Sequence, residues 1–404
     1  MIPQPYDQSV LITITGRDRP GITAAVMSVL AQDDTEIVDI DQEVFDSYLI
    51  INLKVRLQGD NAVLKELLWR GKELGIEIDF RMLDPVQREV LHDPYAITLI
   101  GEQITASLIA ELAGALTFHG HNIEKIFKRG EWRQRCFEFV IDNPGGDLSP
   151  KLKAKLLTGG MRWGVDIAIQ HENRRRYSRR FVIMDMDSTL IQQEVIVELA
   201  KEAGKGDEVH RITEEAMAGK LDFDESLRLR VQALAGLDVA VLERVKERLT
   251  LTPGAETLAH VLRTHAYKLA VVSGGFTPFV EYWRERLGLH YAFANELEIV
   301  DGRLSGRVLG RIVNREAKAA ILRELAFKEQ INPDDVIAIG DGANDIDMIV
   351  AAGLGIAFNA KGALREKADY SYNQRSLDSL LYLLGFKDKD IRIAEGEVVG
   401  DGPR

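Results

Sequence analysis

The sequence predicts an α/β protein in which a Rossmann-like parallel-sheet core with an α-helical cap follows two ferredoxin-like (βαββαβ) α+β domains. Three observations predict it. Residues 9–82 and 95–170 pass twice through the same order of apolar strands and amphipathic helices. From residue 180 onward short apolar strands alternate with helices, the mark of a parallel sheet. Residues 192–250, between the first two of those strands, have helical periodicity and no strand signal, and they are too long for one crossover helix.

Taken in order, SVLITITG (9–16) reads as a strand running into a loop and ITAAVMSVLAQ (22–32) as an amphipathic helix. EIVDIDQEVF and YLIINLKVRL alternate like half-buried strands, and a helix near 61–74 with a strand near 76–82 closes the first copy. The second copy is YAITLIG (95–101), a helix over 104–119, strands near 122–129 and 134–142, a helix near 150–158, and GVDIAIQ (164–170). Gly16 and Gly101 hold matching places at the ends of the two first strands. The expected domains are therefore 1–85 and 90–171. ENRRRYSRR (172–180) reads as a basic, solvated linker rather than a nucleic-acid patch, because the whole chain is acidic. The third domain, 180–388, has candidate strands at 180–186, 268–274, 335–342 and 355–358. Its segment 296–310 reads as a hairpin turning at Asp301-Gly302. The helix LDSLLYLLGF precedes a polar tail, 389–404, expected to be partly loose.

Composition bounds the function. The chain has 404 residues, 46% of them hydrophobic and 28% charged, with a net charge of −12 that disfavours nonspecific nucleic-acid binding. Cys136 is its one cysteine, so no intrachain disulfide forms and a reducing compartment is expected. Its thiol reads as a half-buried structural group in the strand RCFEFVI. The amino terminus lacks a basic stretch followed by an apolar one, and nowhere do eighteen uncharged apolar residues run together, so a cytoplasmic protein without membrane contact is expected. The histidines form no ligand set, and His119 and His121 read as ordinary loop residues.

The chemistry lies at strand ends, where open parallel sheets bind their ligands. FVIMDMDSTLI (181–191) puts Asp185 and Asp187 directly behind an apolar strand. Ser273-Gly274-Gly275 follows the second strand, Lys318 sits at a helix start, and GDGANDID brings Asp341, Asn344 and Asp345 behind the third. Three carboxylates suit a hard cation such as Mg²⁺. A hydroxyl, glycine N–H groups and a lysine suit a phosphate, and an aspartate beside both is placed to act as a nucleophile.

This constellation resembles the haloacid dehalogenase superfamily of phosphohydrolases, on DMDST, VVSGG, Lys318 and GDGANDIDM in that order. The resemblance implies that Asp185 attacks phosphorus and that Asp187 serves as general acid and base. It places Mg²⁺ among Asp185, the backbone carbonyl of Asp187, Asp341 and, through water, Asp345, with Ser273, Gly274, Gly275, Lys318 and Asn344 on the phosphoryl group. Within the cap, Glu194 and KLDFDESLRLRVQAL (220–234) resemble the phosphoserine phosphatase branch. That likeness implies Glu194 near a substrate ammonium, Arg230 on its carboxylate and Phe223 covering the site. O-phospho-L-serine would be the substrate, its hydrolysis being the last step of serine biosynthesis.

TGRDRPGITA (15–24) resembles the glycine-bearing loop of ACT domains, amino-acid sensors that pair across subunits, whereas IGEQITASL (100–108) keeps Gly101 without the Asp-Arg-Pro-Gly run. Two such copies ahead of this core resemble the arrangement of actinobacterial phosphoserine phosphatases. The resemblance implies a homodimer with L-serine as effector near Gly16, Asp18 and Gly101, the glycines letting the backbone approach a ligand closely. Two other readings stay open: a phosphatase or phosphotransferase acting on another small phosphomonoester, and an amino-acid sensor with a vestigial phosphatase core.

Overall fold

The computed structural model describes residues 8–33, 35–57, 62–83, 94–132, 134–143, 148–172, 179–217, 220–360 and 362–396. Residues 173–178 of the basic linker and 397–404 of the tail lie outside them. The chain forms two compact units, residues 1–90 and 91–404.

The first unit is one ferredoxin-like layer pair. Strands β1 (Gln8–Arg17), β2 (Glu36–Phe45), β3 (Tyr48–Leu57) and β4 (Glu77–Leu83) form an antiparallel sheet in the order β2-β3-β1-β4. The helices Ile22–Leu30 and Ala62–Leu74 cover one face. The period-2 pattern decides that face: Val10, Ile12 and Ile14 on β1 and Leu49, Ile51, Leu53 and Val55 on β3 are buried together. A Cβ on Gly16 would come within 2.6 Å of the Ile76 side chain, so this glycine is needed for packing inside its own unit.

In the second unit the topology repeats with β5 (Tyr95–Gly101), β6 (Ile123–Gly130), β7 (Arg135–Ile141) and β8 (Asp166–His171), in the order β6-β7-β5-β8. Its helices begin where the sequence supplies caps: Thr105 accepts from Leu108 N at 3.3 Å ahead of Ala106–Phe118, and Ser149 from Leu152 N at 3.2 Å ahead of Pro150–Trp163. Gly101 repeats the packing logic of Gly16, since a Cβ there would lie 2.7 Å from Val165.

The remaining sheet has seven strands: β9 (Phe181–Met184), β10 (Lys268–Phe276), β11 (Tyr291–Val300), β12 (Arg303–Leu309), β13 (Val336–Gly340), β14 (Leu354–Phe358) and β15 (Tyr370–Tyr372). Their order is β12-β11-β10-β9-β13-β14-β15. The four candidate strands stand at its centre. The hairpin turns at Asp301-Gly302, both in the left-handed region as a two-residue turn requires. It is also longer than the sequence pattern suggested: β11 begins at Tyr291 and pairs in parallel with β10 before it turns. β15 is a further strand. The cap comprises the helices Val195–Glu202, Gly206–Met217, Phe223–Gln232 and Val241–Arg248. The segment LDSLLYLLGF is helical only over Leu380–Leu383 after one tight turn.

Residues Asp388–Ala394 form a helix with Ile391 fully buried. Asp388 accepts the N–H groups of Glu131 and Trp132 at 2.9 and 3.2 Å, and the Tyr382 hydroxyl at 2.5 Å, so this segment clasps the second ferredoxin-like sheet. The outer face of that sheet, with Ile100, Cys136 and Ala168, joins the same apolar cluster as Tyr370, Leu381 and Tyr382. Cys136 is thus fully buried rather than half-buried.

Candidate active site

The site is assembled by sheet topology. β9 and β13 are parallel neighbours, and Asp185 N donates to the carbonyl of Ile339 at 2.9 Å just past their ends. Asp185 and the GDG turn therefore leave the sheet side by side. Beyond Asp185 the chain turns sharply, with Ser188 at φ 55°. The turn is fixed by Thr189, whose hydroxyl donates to Asp341 at 2.9 Å and whose carbonyl accepts from Thr252 at 2.7 Å.

Carboxylate oxygens of Asp185, Asp341 and Asp345 lie within 4.8 Å of one another. Lys318 and Asp345 are fully buried and Asp185 is 4% exposed. The Lys318 ammonium lies 2.9 Å from Asp185 and 2.7 Å from Asp345. Burial works against its charge, but the two carboxylates outweigh that and hold it above the ordinary lysine range. One ammonium does not neutralise three carboxylates. Burial first, and then the charge of Asp345, raises the Asp185 carboxyl and pushes Asp341 up to about 7. The donor set is all oxygen and short of positive charge, which fits a hard divalent cation.

Asp187 occupies a different environment. Its two oxygens accept from Val195 N at 2.7 Å and from the Ser273 hydroxyl at 2.9 Å. Burial and the neighbouring Glu194 push it up to about 6. Gly275 N donates to Ser273 at 2.7 Å, and a Cβ on Gly275 would meet Asp187 at 2.8 Å.

The cap closes a cavity of about 570 Å³ over these groups. Glu194, Phe223 and Arg230 line it with Asp185, Asp187, Gly274, Gly275, Asp341 and Asn344. A Cβ on Gly274 would lie 2.9 Å from the Phe223 ring, so the aromatic rests on the glycine. Glu194 accepts from Ser188 at 2.8 Å. Arg230 is half-buried; burial lowers its pKa, with Glu194 and Asp187 acting in opposition. Every candidate of the catalytic and substrate sets thus falls in one place. Gly16 and Asp18 belong to the other unit, where Asp18 N donates to Ser47 O at 2.8 Å, and Gly101 ends β5.

Three positioning residues escaped the sequence reading. Thr189 is one. Asn295 is fully enclosed in β11, donates to the carbonyls of Gly274 and Gly275 at 2.8 and 3.1 Å, and accepts from Val313 N at 2.8 Å. An asparagine inside the apolar run YAFANEL was the available signal. Asn314 caps the helix Arg315–Lys328 that carries Lys318 and reaches Asp224 of the cap at 3.0 Å.

Comparison with known proteins agrees with this geometry. Residues 182–349 match the haloacid dehalogenase-like hydrolase family and residues 8–81 the ACT domain family. A phosphoserine phosphatase of Streptomyces coelicolor is 42% identical over 98% of this chain and 97% of its own length. The phosphoserine phosphatase SerB2 of Mycobacterium tuberculosis is 39% identical, covering 97% of this chain and 96% of its own. Among solved structures, a haloacid dehalogenase family hydrolase of Salmonella enterica serovar Typhi superposes with a TM-score of 0.65 at 33% identity, over 72% of this chain and 98% of that one. With strand ends, cap and relatives in agreement over nearly its whole length, the chain belongs to the phosphoserine phosphatase family of haloacid dehalogenase-like hydrolases.

Proposed function

We propose that this chain hydrolyses O-phospho-L-serine to L-serine and phosphate through an aspartyl-phosphate on Asp185, as the final step of serine biosynthesis. The observation that carries the reading is the shared cavity: Glu194, Phe223 and Arg230 of the cap face the same space as Asp185 and Asp187. A phosphoryl group at the strand ends leaves the amino-acid end under the cap. There a carboxylate meets a guanidinium and an ammonium meets a carboxylate.

Asp185 would attack phosphorus, its oxygen steered by Lys318 and by Met186 N at 2.7 Å. Asp187, near 6, would give its proton to the departing serine oxygen and later take one from water. Ser273, Lys318 and the glycine N–H groups would bind the phosphoryl oxygens. Asp185, Asp341, the Asp187 carbonyl and, through water, Asp345 would hold Mg²⁺, which when bound neutralises the carboxylates and the phosphoryl charge.

Asp18 and the first ferredoxin-like unit would carry an L-serine site giving feedback inhibition. The edge strand β2, exposed along its length with Ile37, Ile40, Val44 and Phe45 uncovered, supports pairing into a homodimer. Among the described residues no helix is long and apolar enough to cross a membrane.

Phosphate release tests the substrate. Arg230→Ala leaves a buried carboxylate unpaired, which costs roughly 2–5 kcal/mol. The loss is expected with O-phospho-L-serine and should be small with p-nitrophenyl phosphate; equal losses would contradict the assignment.

A further inference from the structure

We infer that Ser226 is a specificity-determining residue whose hydroxyl donates a hydrogen bond to the carboxylate of the bound substrate, beside Arg230. The inference rests on the phosphoserine reading above and extends it to a residue with no assigned role. Ser226 is 1% exposed, and its Oγ has no hydrogen-bond partner among the described residues. It lines the cavity that holds Asp185 and Asp187.

A buried hydroxyl without a partner destabilises the fold that contains it, and native proteins rarely leave one so. A helical serine has a ready remedy, the carbonyl four residues back. Here that carbonyl, of Asp222, accepts the Ser226 backbone N–H at 3.0 Å and not its hydroxyl. A substrate acceptor bound within reach of Ser226 would relieve the unmet donor.

Position decides which acceptor. Ser226 and Arg230 are one turn apart on Phe223–Gln232, so they share a helix face, and Arg230 Nε donates to the Ser226 carbonyl at 3.3 Å. The cationic Lys318 stands at the strand ends, with the phosphoryl-binding groups. Under the cap, Ser226 adds a neutral donor beside the second cation, while its neighbour Leu227 offers only apolar wall. A guanidinium and a hydroxyl on one face make a carboxylate site, and a second phosphate would want more charge than this face supplies.

The test uses the full chain with Mg²⁺ and Ser226→Ala. A hydrogen bond to a charged group is worth enough that kcat/KM for O-phospho-L-serine should fall roughly 10- to 100-fold more than for p-nitrophenyl phosphate. The loss should lie mainly in KM. The substrate-free thermal midpoint should hold or rise, because the hydroxyl removed had no partner. Ser226→Cys, of similar size and a weaker donor, should fall between. An unchanged substrate preference, an equal loss on both substrates, or a lowered midpoint would each overturn the inference. Wild type that hydrolyses p-nitrophenyl phosphate but not O-phospho-L-serine would overturn the parent reading, and this one with it, before any variant is compared.

Discussion

The two ferredoxin-like units share a topology and differ in what their sheets touch. On β1 buried and half-buried residues alternate, so one face meets helices and the other stays partly open. On β5 every residue is buried, because the second face packs on the phosphatase portion. Polar links reinforce that packing: Asp166 accepts from Asn373 N at 2.7 Å and from its side chain at 2.8 Å. The same fold thus forms a compact unit of its own in one copy and packs into the unit that carries the active site in the other. A repeat in sequence is not a repeat in role.

Truncation should break the comparison most visibly. A chain beginning at residue 91 keeps the apolar cluster and should keep turnover within about twofold, since no catalytic group is lost. A chain beginning at residue 179 uncovers Tyr370 and Tyr382 and should lose a large part of the domain's total of about 5–15 kcal/mol. Calorimetry and kcat on both chains check this.

Single glycines give a smaller version of the same contrast. A Cβ on Gly130 would lie 2.3 Å from the Tyr382 ring, across the packed interface. Gly130→Ala should cost about 1–3 kcal/mol by overpacking and lower the melting transition that abolishes turnover. Gly16→Ala strains Ile76 instead and should lower only the transition of the first unit. Because Gly16 has this packing duty, Asp18→Ala is the cleaner probe of a serine site.

Magnesium should move one transition and spare the other. In the folded protein Asp341 is held at about 7 and Asp187 at about 6, above the ordinary value of 3.8. Raised carboxyls keep protons that the unfolded chain releases, so metal-free stability from these groups falls as pH climbs from about 4 to 7. A cation must displace the Asp341 proton, so its apparent affinity should be about tenfold weaker at pH 6 than at pH 8. Thermal shift with added Mg²⁺ at the two pH values measures it. The smallest effect belongs to L-serine: at ten times its Kd it should stabilise the first unit by about 1.4 kcal/mol, and not after Asp18→Ala.

Most of the site was legible because catalysis at the ends of parallel strands leaves polar residues where apolar strands stop. Asp185, Ser273 and Asp341 each break an apolar run. Asn295 and Thr189 were not read, since a single polar residue inside an apolar stretch does not say which distant backbone it satisfies. The pattern of β5 was ambiguous for a related reason. A strand buried on both faces reads as apolar throughout, and what covers the second face depends on residues such as Tyr382, far along the chain. β15 is three residues long, too short for periodicity to show. The tail helix carries charged residues at Asp388, Lys389, Asp390 and Arg392, and Ile391 and Ile393 among them gave little sign that one face packs.

The claim on which the rest depends is that Asp185 carries the phosphoryl group. Rapid quench of the enzyme during turnover of O-phospho-L-serine with Mg²⁺, followed by peptide mapping, tests it most directly. The account expects the phosphoryl group on Asp185 in wild type and none anywhere in Asp185→Asn, which should stay folded and lose several orders of magnitude in turnover. A phosphoryl group on another residue, or near-normal turnover in Asp185→Asn, would contradict it.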